Sequence, residues 1–333
     1  MNASKPLESF HLQLHRWYQT HGRHELPWRH TGDAYRILVS EMMLQQTQVQ
    51  TVLDRYYQLF LDVFPTLESL ANAQLSKVME QWQGLGYYRR AKYLHAAAQQ
   101  SAPALPDTVE GLMALPGIGR NTAHAVLAFA HHQPYPVMEA NVKRVLSRIF
   151  ALTQPTEKAL WQHAFGLLDQ KDPYDYNQAM MDVGSMVCTP KSPNCTACPA
   201  SELCQGKANP QAYPAPKAKK IIPTRKQQIL VIENDHGLIY SSPRAGEFLH
   251  GLHQFVELGE NEGAIELNGA IYPKANWHYL GIVEQTYSHF KQWAEVYRVR
   301  YHGKCQPSHW YSLEKLKHLP CSKKEEKIIK MLV

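Results

Sequence analysis

Several features that would assign a chain to a common class of proteins are missing from this sequence. No run approaches the roughly 18 consecutive apolar residues that a membrane helix needs, and the first six residues hold no apolar signal-peptide core. The composition, 44% apolar and 19% charged, is that of a chain that folds around a core. We therefore expect a folded cytoplasmic protein without membrane segments.

Cysteine is absent from the first 187 residues, although the chain has six. Four of them share one short stretch and two stand alone: Cys188, Cys195, Cys198 and Cys204, then Cys305 and Cys321. A small disulfide scaffold would spread its cysteines more evenly. The spacing Cys-x6-Cys-x2-Cys-x5-Cys has one Cys-x2-Cys pair, whereas a zinc ribbon usually has two. Four thiolates on one loop therefore favour a structural [4Fe–4S] cluster over zinc.

Acidic residues are missing from residues 206–226, which hold four prolines and six basic residues and are predicted to form a linker. Before this stretch, apolar residues recur at helical spacing, and after it short β-type runs appear. Helices are predicted at 7–20, 33–44, 48–64, 75–83, 88–100, 108–114, 120–131, 142–151, 157–170 and 175–187. Strands are predicted at 228–232, 237–240 and 295–301, and further helices at 312–317 and 323–332. The chain should therefore have a mainly α first part and a small α+β second part.

The segment Leu115-Pro116-Gly117-Ile118-Gly119-Arg120-Asn121 separates two of the predicted helices. Its glycines permit a tight turn and leave N–H groups free at the start of the second helix, where a phosphate oxygen binds. An ordinary corner between helices is the alternative. The pattern resembles a helix-hairpin-helix, which grips the DNA backbone without reading sequence. The DNA-binding candidates of this hairpin are Leu115, Gly117, Gly119 and Asn121.

A helix-hairpin-helix about seventy residues before such a cysteine loop resembles the endonuclease III superfamily of DNA glycosylases. Four motifs narrow the resemblance to the adenine DNA glycosylases of the MutY type: Leu26-Pro27-Trp28-Arg29, residues 40–47, Gly84-Leu85-Gly86-Tyr87-Tyr88 and residues 177–181. The resemblance implies a [4Fe–4S] enzyme that acts in base excision repair, as a monomer associated with the nucleoid. Its partner would be double-stranded DNA that contains A:8-oxoguanine or A:G mismatches.

The same resemblance implies a domain division. The helical glycosylase region would span 1–205, with a six-helix barrel at about 25–132 and an iron–sulfur part at 1–24 and 133–205. The linker at 206–226 would lead to a Nudix-like lesion-recognition domain at 227–333. This last range lacks the acidic Nudix box, so the domain is expected to recognise a base and not to hydrolyse a nucleotide.

Breaking an N-glycosidic bond leaves negative charge on the base and positive charge on the sugar. Two carboxyl groups in different environments can act at the two ends of this bond, because one protonates the base and the other stabilises the sugar cation. The resemblance implies that Glu41 protonates the base and that residue 139 stabilises the sugar cation. The family motif there is Asp-Gly-Asn, and this chain has Glu139-Ala140-Asn141, with Asn141 placed among the catalytic groups. The alternative for Glu41 is a solvated side chain on a polar face. The alternative for Glu139 and Asn141 is a purely structural role at the start of a helix, with Asn141 as the N-cap.

Lysine is missing at position 121, where bifunctional relatives carry the amine that attacks the sugar. The resemblance therefore implies a monofunctional enzyme that flips the adenine out of the stack, releases it and leaves an abasic site. It also assigns pocket and wedge residues: Trp28, Arg29 and Gln178 to the pocket for the flipped base, and Gln46 and Tyr87 to a wedge in the stack. Core packing is the alternative for Trp28 and Tyr87.

The family carries a Phe-Ser-His loop that senses 8-oxoguanine, and Tyr287-Ser288-His289 stands in its place here. Hydroxyl and imidazole groups can hydrogen-bond a purine edge, although a polar turn before a strand is the alternative. Two other functions remain open. The first is an endonuclease III-like enzyme for oxidised pyrimidines, which would need a lysine at position 121. The second is a catalytically weakened DNA-binding relative, which only Glu139 favours.

Overall fold

The computed structural model describes residues 4–216, 222–246, 249, 251–267, 270–287, 289–303 and 308–333. Two residues discussed above, Ser288 and Cys305, therefore lie outside the described residues, as does 217–221 of the predicted linker. The chain divides into two compact units. One combines Met1–Ala73 with Arg90–Ala218, and the other combines Gln74–Arg89 with Lys219–Val333. In the described ranges, no helix is long and apolar enough to cross a membrane.

Fourteen α-helices occur in the described residues. In chain order they are α1 (Ser4–His21), α2 (Ala34–Leu44), α3 (Val49–Arg55), α4 (Tyr57–Val63), α5 (Leu67–Ala71), α6 (Leu75–Gln81), α7 (Arg89–Ser101), α8 (Val109–Met113), α9 (Arg120–His131), α10 (Ala140–Ile149), α11 (Glu157–Leu167), α12 (Pro173–Asp182), α13 (Leu313–His318) and α14 (Lys323–Met331). A 3-10 turn at Pro27–Arg29 precedes α2, and a π-helical turn at Val183–Val187 extends α12. The mainly α first part is therefore confirmed.

Short polar side chains decide where several of these helices begin. Asp33, Thr108 and Asp172 each accept a hydrogen bond from a backbone N–H in the first turn of α2, α8 and α12. The predicted helix at 48–64 is instead two helices, because the backbone of Tyr56 leaves the helical conformation at φ −129°. The core of this unit includes Phe10 and Leu14 of α1, which pack in one cluster with buried residues of α10 and α12.

The second unit contains a mixed sheet. The strands are β1 (Thr224–Asn234), β2 (Ile239–Tyr240), β3 (Ser242–Pro243), β4 (His253–Gln254), β5 (Val256–Leu258), β6 (Ala264–Leu267), β7 (Ala270–Pro273), β8 (His278–Thr286), β9 (Lys291–Tyr301) and β10 (Trp310–Tyr311). The main sheet has the order β10-β2-β1-β9-β8, and β5 also pairs with β1. Strands β1 and β9 run parallel, with Thr224 opposite Lys291 and Asn234 opposite Tyr301. The predicted α+β character is confirmed, and β1 begins inside the range predicted as linker.

Strand β1 is buried on both faces, because successive side chains point to opposite sides of a sheet. Ile229 and Val231 belong to a cluster that includes Leu316 of α13 and Ile328 of α14. The alternate residues of β1 belong to a second cluster with Trp277. The continuous apolar run in β1 is the feature that predicts this strand from the sequence. Strand β8 is not predicted from the sequence, because its burial is slight and irregular. Among the residues of β8 that the structure describes, Val283 is the one that is buried.

Candidate active site and cysteine loop

Glu41 lies in the last turn of α2, next to the buried side chains of Met42 and Met43. Burial raises the pKa of the Glu41 carboxyl group to about 8, and the negative charge of nearby Glu139 adds to this effect. No hydrogen bond from the described residues stabilises its ionised form. The group therefore keeps its proton at neutral pH, which is the state that a general acid needs.

The end of α2 is held by Arg90. Its Nη1 donates to the carbonyl oxygens of Met42 and Met43 at 2.8 Å each, and to that of Gln45 at 2.5 Å. A guanidinium group satisfies the orphan carbonyls of a helix C-terminus and complements its dipole. Arg90 therefore fixes the turn that carries Glu41, although no motif in the sequence predicts this role. The next residue, Gln46, is exposed and has a left-handed backbone with φ 57°.

Glu139 is the N-cap residue of α10, but its side chain does not cap the helix. Instead, Nδ2 of Asn121 donates to Oε1 of Glu139 at 2.5 Å, and Oδ1 of Asn121 accepts from the Met138 N–H at 2.6 Å. Burial raises the pKa of Glu139, whereas the Asn121 hydrogen bond and the Lys143 charge oppose the rise. Asn121 thus holds both the carboxylate and the backbone that precedes it.

Asn141 is the second residue of α10 and not its N-cap, so the alternative that makes Asn141 the cap is wrong. The helix begins two residues earlier than that alternative requires, with Glu139 as its N-cap. The Asn141 amide Nδ2 donates to the Met181 carbonyl at 2.8 Å. Gly184 lies against it, since a Cβ there would come within 2.9 Å of the Asn141 Cβ. This contact fixes Asn141 against the C-terminal end of α12.

The hairpin between α8 and α9 has two glycines with different roles. Gly117 has φ +75°, and a Cβ on it would lie 2.5 Å from the Tyr93 side chain. Gly119 is the N-cap of α9, and a Cβ there would meet no atom within 4 Å. Leu115 and Ile118 are buried and anchor the turn. The exposed N-terminus of α9 can therefore receive an anion, as expected for a phosphate contact.

The three predicted pocket residues are largely buried. The Tyr174 hydroxyl of α12 donates to the Arg29 carbonyl oxygen at 2.6 Å, and Gln178 lies on the same helix. The Trp28 ring packs edge-on against Tyr57, with the ring centroids 5.2 Å apart. Tyr174 thus ties the backbone of Arg29 to the helix that carries Gln178.

The Arg29 guanidinium is occupied by Asp182, a residue that the sequence analysis missed. Nη1 and Nη2 of Arg29 donate to the two carboxylate oxygens at 2.7 and 2.9 Å, and the Arg23 N–H adds a third bond at 2.8 Å. These contacts hold the pKa of Asp182 below its ordinary value although the residue is fully buried. An acid among apolar residues, directly after the motif at 177–181, was the available signal.

All four clustered cysteines line one cavity in the first unit, together with Arg148. Nη1 of Arg148 lies 3.3 Å from the Cys188 Sγ, and the Cys204 Sγ lies 3.3 Å from the Arg148 carbonyl oxygen. Nε of Arg144 donates to the Cys188 carbonyl at 2.8 Å. The Arg148 guanidinium beside the Cys188 sulfur suits a site that holds negatively charged thiolates, and Arg144 fixes the backbone of the same cysteine.

The spacing of the sulfurs distinguishes between a cluster and a single zinc ion. A tetrahedral zinc with Zn–S bonds of about 2.3 Å would hold its sulfurs only about 3.8 Å apart. Among the described residues, no three of these cysteine sulfurs lie within 4.8 Å of one another. This spacing is wider than a single zinc ion requires, and four cysteine ligands are the usual set of an iron–sulfur cluster.

Tyr87 lies in a tight turn of the second unit. Gly84 and Gly86 have φ +86° and +79°, and Tyr87 itself has φ +48° and is 47% exposed. Inside the turn, the Gly84 N–H donates to the Tyr88 hydroxyl at 3.1 Å and the Trp82 Nε1 donates to the Gly86 carbonyl at 3.2 Å. The turn is thus a braced structure that leaves the Tyr87 ring accessible.

Tyr287 and His289 point to different environments. The Tyr287 N–H donates to the Phe290 carbonyl at 2.9 Å and closes a turn after β8. Burial raises the pKa of Tyr287 to about 12. His289 is exposed. Of the predicted lesion-sensing side chains that the structure describes, His289 is therefore the accessible one.

Comparisons with known proteins agree on one family. The family model described as HhH-GPD superfamily base excision DNA repair protein matches residues 39–168. The adenine DNA glycosylase of Buchnera aphidicola subsp. Schizaphis graminum is 36% identical over 228 residues, 65% of this chain and 65% of that protein. That of Buchnera aphidicola subsp. Acyrthosiphon pisum is 32% identical over 260 residues, 75% of this chain and 74% of that protein.

Among solved structures, a thermostable thymine-DNA glycosylase matches with a TM-score of 0.57 and 27% identity. The match covers 62% of this chain and 99% of that chain. It extends the agreement from the sequence to the three-dimensional arrangement of the helices.

Proposed function

Because the chain belongs to the adenine DNA glycosylase family, within the HhH-GPD superfamily of base excision DNA repair proteins, we propose that it removes adenine from duplex DNA where the adenine is paired with 8-oxoguanine or guanine. The observation that carries this proposal is the pair formed by Glu41 and Glu139. The negative charge of Glu139 adds to the raised pKa of Glu41, yet in the described part of the chain only Glu139 accepts a hydrogen bond, from Asn121. Two carboxyl groups in such different environments are suited to different roles, one as the general acid and the other as the group that stabilises the sugar cation.

Each carboxyl group would serve one end of the breaking bond. Glu41, protonated at neutral pH, would donate its proton to the departing adenine, which develops negative charge. Glu139, held by Asn121, would keep its negative charge beside the sugar cation until water attacks. Asn141, fixed to the Met181 carbonyl, would support this arrangement from the first turn of α10.

The residue at position 121 decides which products the reaction would leave. An amide has no nucleophilic lone pair like that of a lysine amine, so no Schiff base with the sugar can form there. Asn121 is moreover committed to Glu139 and Met138. The enzyme would therefore be monofunctional and leave an intact strand with an abasic site.

Several residues would hold the DNA and the flipped base. The hairpin with Leu115, Gly117 and Gly119 would bind the backbone through the N–H groups at the start of α9. Trp28 and Gln178 would contact the base, and Arg29 would shape the pocket from behind through its bond to Asp182. Gln46 and Tyr87, each on a left-handed turn, would enter the stack after flipping.

Cys188, Cys195, Cys198 and Cys204 would hold a [4Fe–4S] cluster. Its contribution would be structural, since it would tie the loop at 188–204 to Arg148 and so to α10. The second unit, through Tyr287, Ser288 and His289, would sense the base opposite adenine. Asn121 argues against an endonuclease III-like lyase, and the raised pKa of Glu41 argues against a non-catalytic DNA-binding protein.

One assay separates these functions. Duplexes that carry A:8-oxoguanine, A:G or thymine glycol are incubated with the protein, and strand breaks are compared with and without alkali. Alkali-dependent breaks at adenine are expected, and Glu41→Gln is the matched control that should abolish them. Breaks at thymine glycol without alkali would establish the lyase instead, and no breaks in any duplex would leave only DNA binding.

A further inference from the structure

We propose that His15, Asp172 and Asp175 form a binding site for a divalent metal cation of the Mn²⁺ class. His15 lies on α1, Asp172 is the N-cap residue of α12, and Asp175 lies in the first turn of α12. All three belong to the first unit, and none of them lines the cysteine cavity. The site goes beyond the proposed glycosylase activity and does not depend on it.

The spacing of the three side chains suits one ion. One ligand atom of each lies within 4.8 Å of the ligand atoms of the other two. The Nδ1 atom of His15 is 3.9 Å from Oδ2 of Asp172. Two atoms that each bind one cation at about 2.1 Å lie at most about 4.2 Å apart, so these two can share an ion where they stand. The three side chains are partly buried, and a small rotation of Asp175 brings its carboxylate to the same ion.

A fourth residue, Asp169, decides which nitrogen of His15 is available. The Nε2 atom of His15 is 3.0 Å from Oδ2 of Asp169, and the Lys171 N–H donates to Oδ1 at 3.0 Å. Burial opposes ionisation of Asp169, but these hydrogen bonds outweigh it and hold its pKa below the ordinary value. An ionised carboxylate only accepts, so Nε2 carries the proton and Nδ1 of the neutral ring keeps its lone pair. Histidines that bind metals are commonly oriented by a carboxylate in this way.

The two oxygens of Asp172 have separate roles. Oδ1 accepts from the Asp175 N–H at 3.1 Å and caps α12, whereas Oδ2 faces His15. With His15 neutral, two acceptors face each other across 3.9 Å, and a cation between them would satisfy both. Burial and the charge of Asp172 raise the pKa of Asp175, although the charges of His15, His24 and Arg29 oppose the rise. A bound cation would also relieve this repulsion between carboxylates.

The ligand set selects the class of cation. Mg²⁺ and Ca²⁺ prefer oxygen ligands alone, whereas imidazole suits transition metals and carboxylates suit Mn²⁺. Two carboxylates and one imidazole therefore fit Mn²⁺, with water as its remaining ligands. Three partly buried protein ligands should bind the ion reversibly. The ion would fasten α1 to the start of α12, the helix that carries Gln178 and Asp182.

Mn²⁺ binding to the full-length protein tests the site, with free Mn²⁺ measured by electron paramagnetic resonance. We expect one saturable Mn²⁺ per chain, and Asp172→Asn and Asp175→Asn should each raise its Kd at least tenfold. Asp33→Asn is the matched control and should leave the Kd unchanged. Asp33 is likewise an N-cap residue, of α2, but its carboxylate lies 3.8 Å from Arg36 instead of a histidine. Asparagine caps a helix about as well as aspartate, so both N-cap variants keep their helices.

Two further measurements identify the ligands. Pulsed electron paramagnetic resonance should show coupling of the bound Mn²⁺ to an imidazole nitrogen, which His15→Gln should remove. Saturating Mn²⁺ should raise the Tm of the wild type and of Asp33→Asn, but not that of Asp172→Asn, because a ligand that binds only the folded state stabilises it.

Three results would overturn the site: no saturable Mn²⁺ binding, the same Kd in Asp172→Asn and Asp33→Asn, or no nitrogen coupling in the wild type. The first is expected if His15 is instead protonated and paired with both Asp169 and Asp172. A wild-type protein that binds Mn²⁺ at this site but releases no adenine would contradict the proposed function alone.

Discussion

Glu139 and Asn121 form a matched pair at the scale of single residues. The longer side chain of Glu139 ends on the Asn121 amide, and the amide oxygen is used by the Met138 N–H. A hydrogen bond to the charged form of a carboxylate lowers its pKa and so offsets part of the burial effect. Asn121 therefore holds the glutamate that replaces the family's aspartate at position 139.

The rate of base release should depend on pH through Glu41. Its acid form is the reactive one, so the single-turnover rate should be flat between the acid limb set by Glu139 and pH 8, and should fall about tenfold per pH unit above pH 8. Glu41→Gln should lower the rate at least about 100-fold, which is the lower end of general-acid contributions. A Glu41→Gln variant with the wild-type rate, or a wild-type rate that stays constant to pH 10, would contradict the assignment.

Asn121→Ala should shift the low-pH limb of the pH–rate profile to higher pH. Without the amide, burial acts on Glu139 with less opposition, so its pKa rises and its charged form is lost at a higher pH. We expect the acid limb to shift to higher pH while the limb near pH 8 stays in place. Glu139→Asp serves as the comparison, since it shortens the reach to Asn121. Parallel shifts of both limbs would argue against this pairing.

At the scale of elements, the hairpin separates a structural glycine from a functional one. Gly117 needs its left-handed backbone and its lack of a Cβ because the Tyr93 side chain fills the space. Gly119 has an ordinary backbone and open space around it at the start of α9. The same sequence motif therefore contains one residue required for the turn and one that leaves room for DNA.

Two alanine variants test this difference. Gly117→Ala should destabilise the fold by about 2–4 kcal/mol, from left-handed backbone strain and a steric clash. Gly119→Ala should unfold like the wild type but bind duplex DNA more weakly, because a methyl group covers the phosphate site. Thermal unfolding and fluorescence anisotropy measure the two effects. Equal stability of Gly117→Ala, or wild-type DNA binding by Gly119→Ala, would show that the roles are assigned wrongly.

At the scale of the whole molecule, the chain forms two units whose composition does not follow the chain order. The segment Gln74–Arg89 joins the C-terminal residues and not its neighbours in the sequence. The bonds from Gln83 and Tyr88 to residues 319–321 are part of this association. The turn with Tyr87 and the predicted lesion loop therefore belong to one unit.

The cysteine loop gives a prediction for the purified protein. It should contain four iron and four sulfide per chain and no zinc, because the four sulfurs are spread too widely for a single tetrahedral ion. Cys198→Ser should lose most of the iron, whereas Cys321→Ser should keep it, since Cys321 lies in the other unit. Stoichiometric zinc in the wild type, or full iron in Cys198→Ser, would contradict the cluster.

The sequence by itself determined the helical first part, the long strands β1 and β9, the glycine hairpin and the grouping of four cysteines. These features depend on local periodicity or on spacing within one loop, which neighbouring residues specify. The short strands, the irregular β8 and the break at Tyr56 were not readable, because their residues lack a continuous buried face.

Only the tertiary structure decided the partners of the chemically important side chains. The contacts between Arg29 and Asp182 and between Tyr88 and Cys321 join residues 153 and 233 positions apart. No periodicity links such positions, because the folded chain brings them together through packing of other elements. The raised pKa of Glu41 has the same origin, since burial and the charge of Glu139 arise only when α2 and the start of α10 come close.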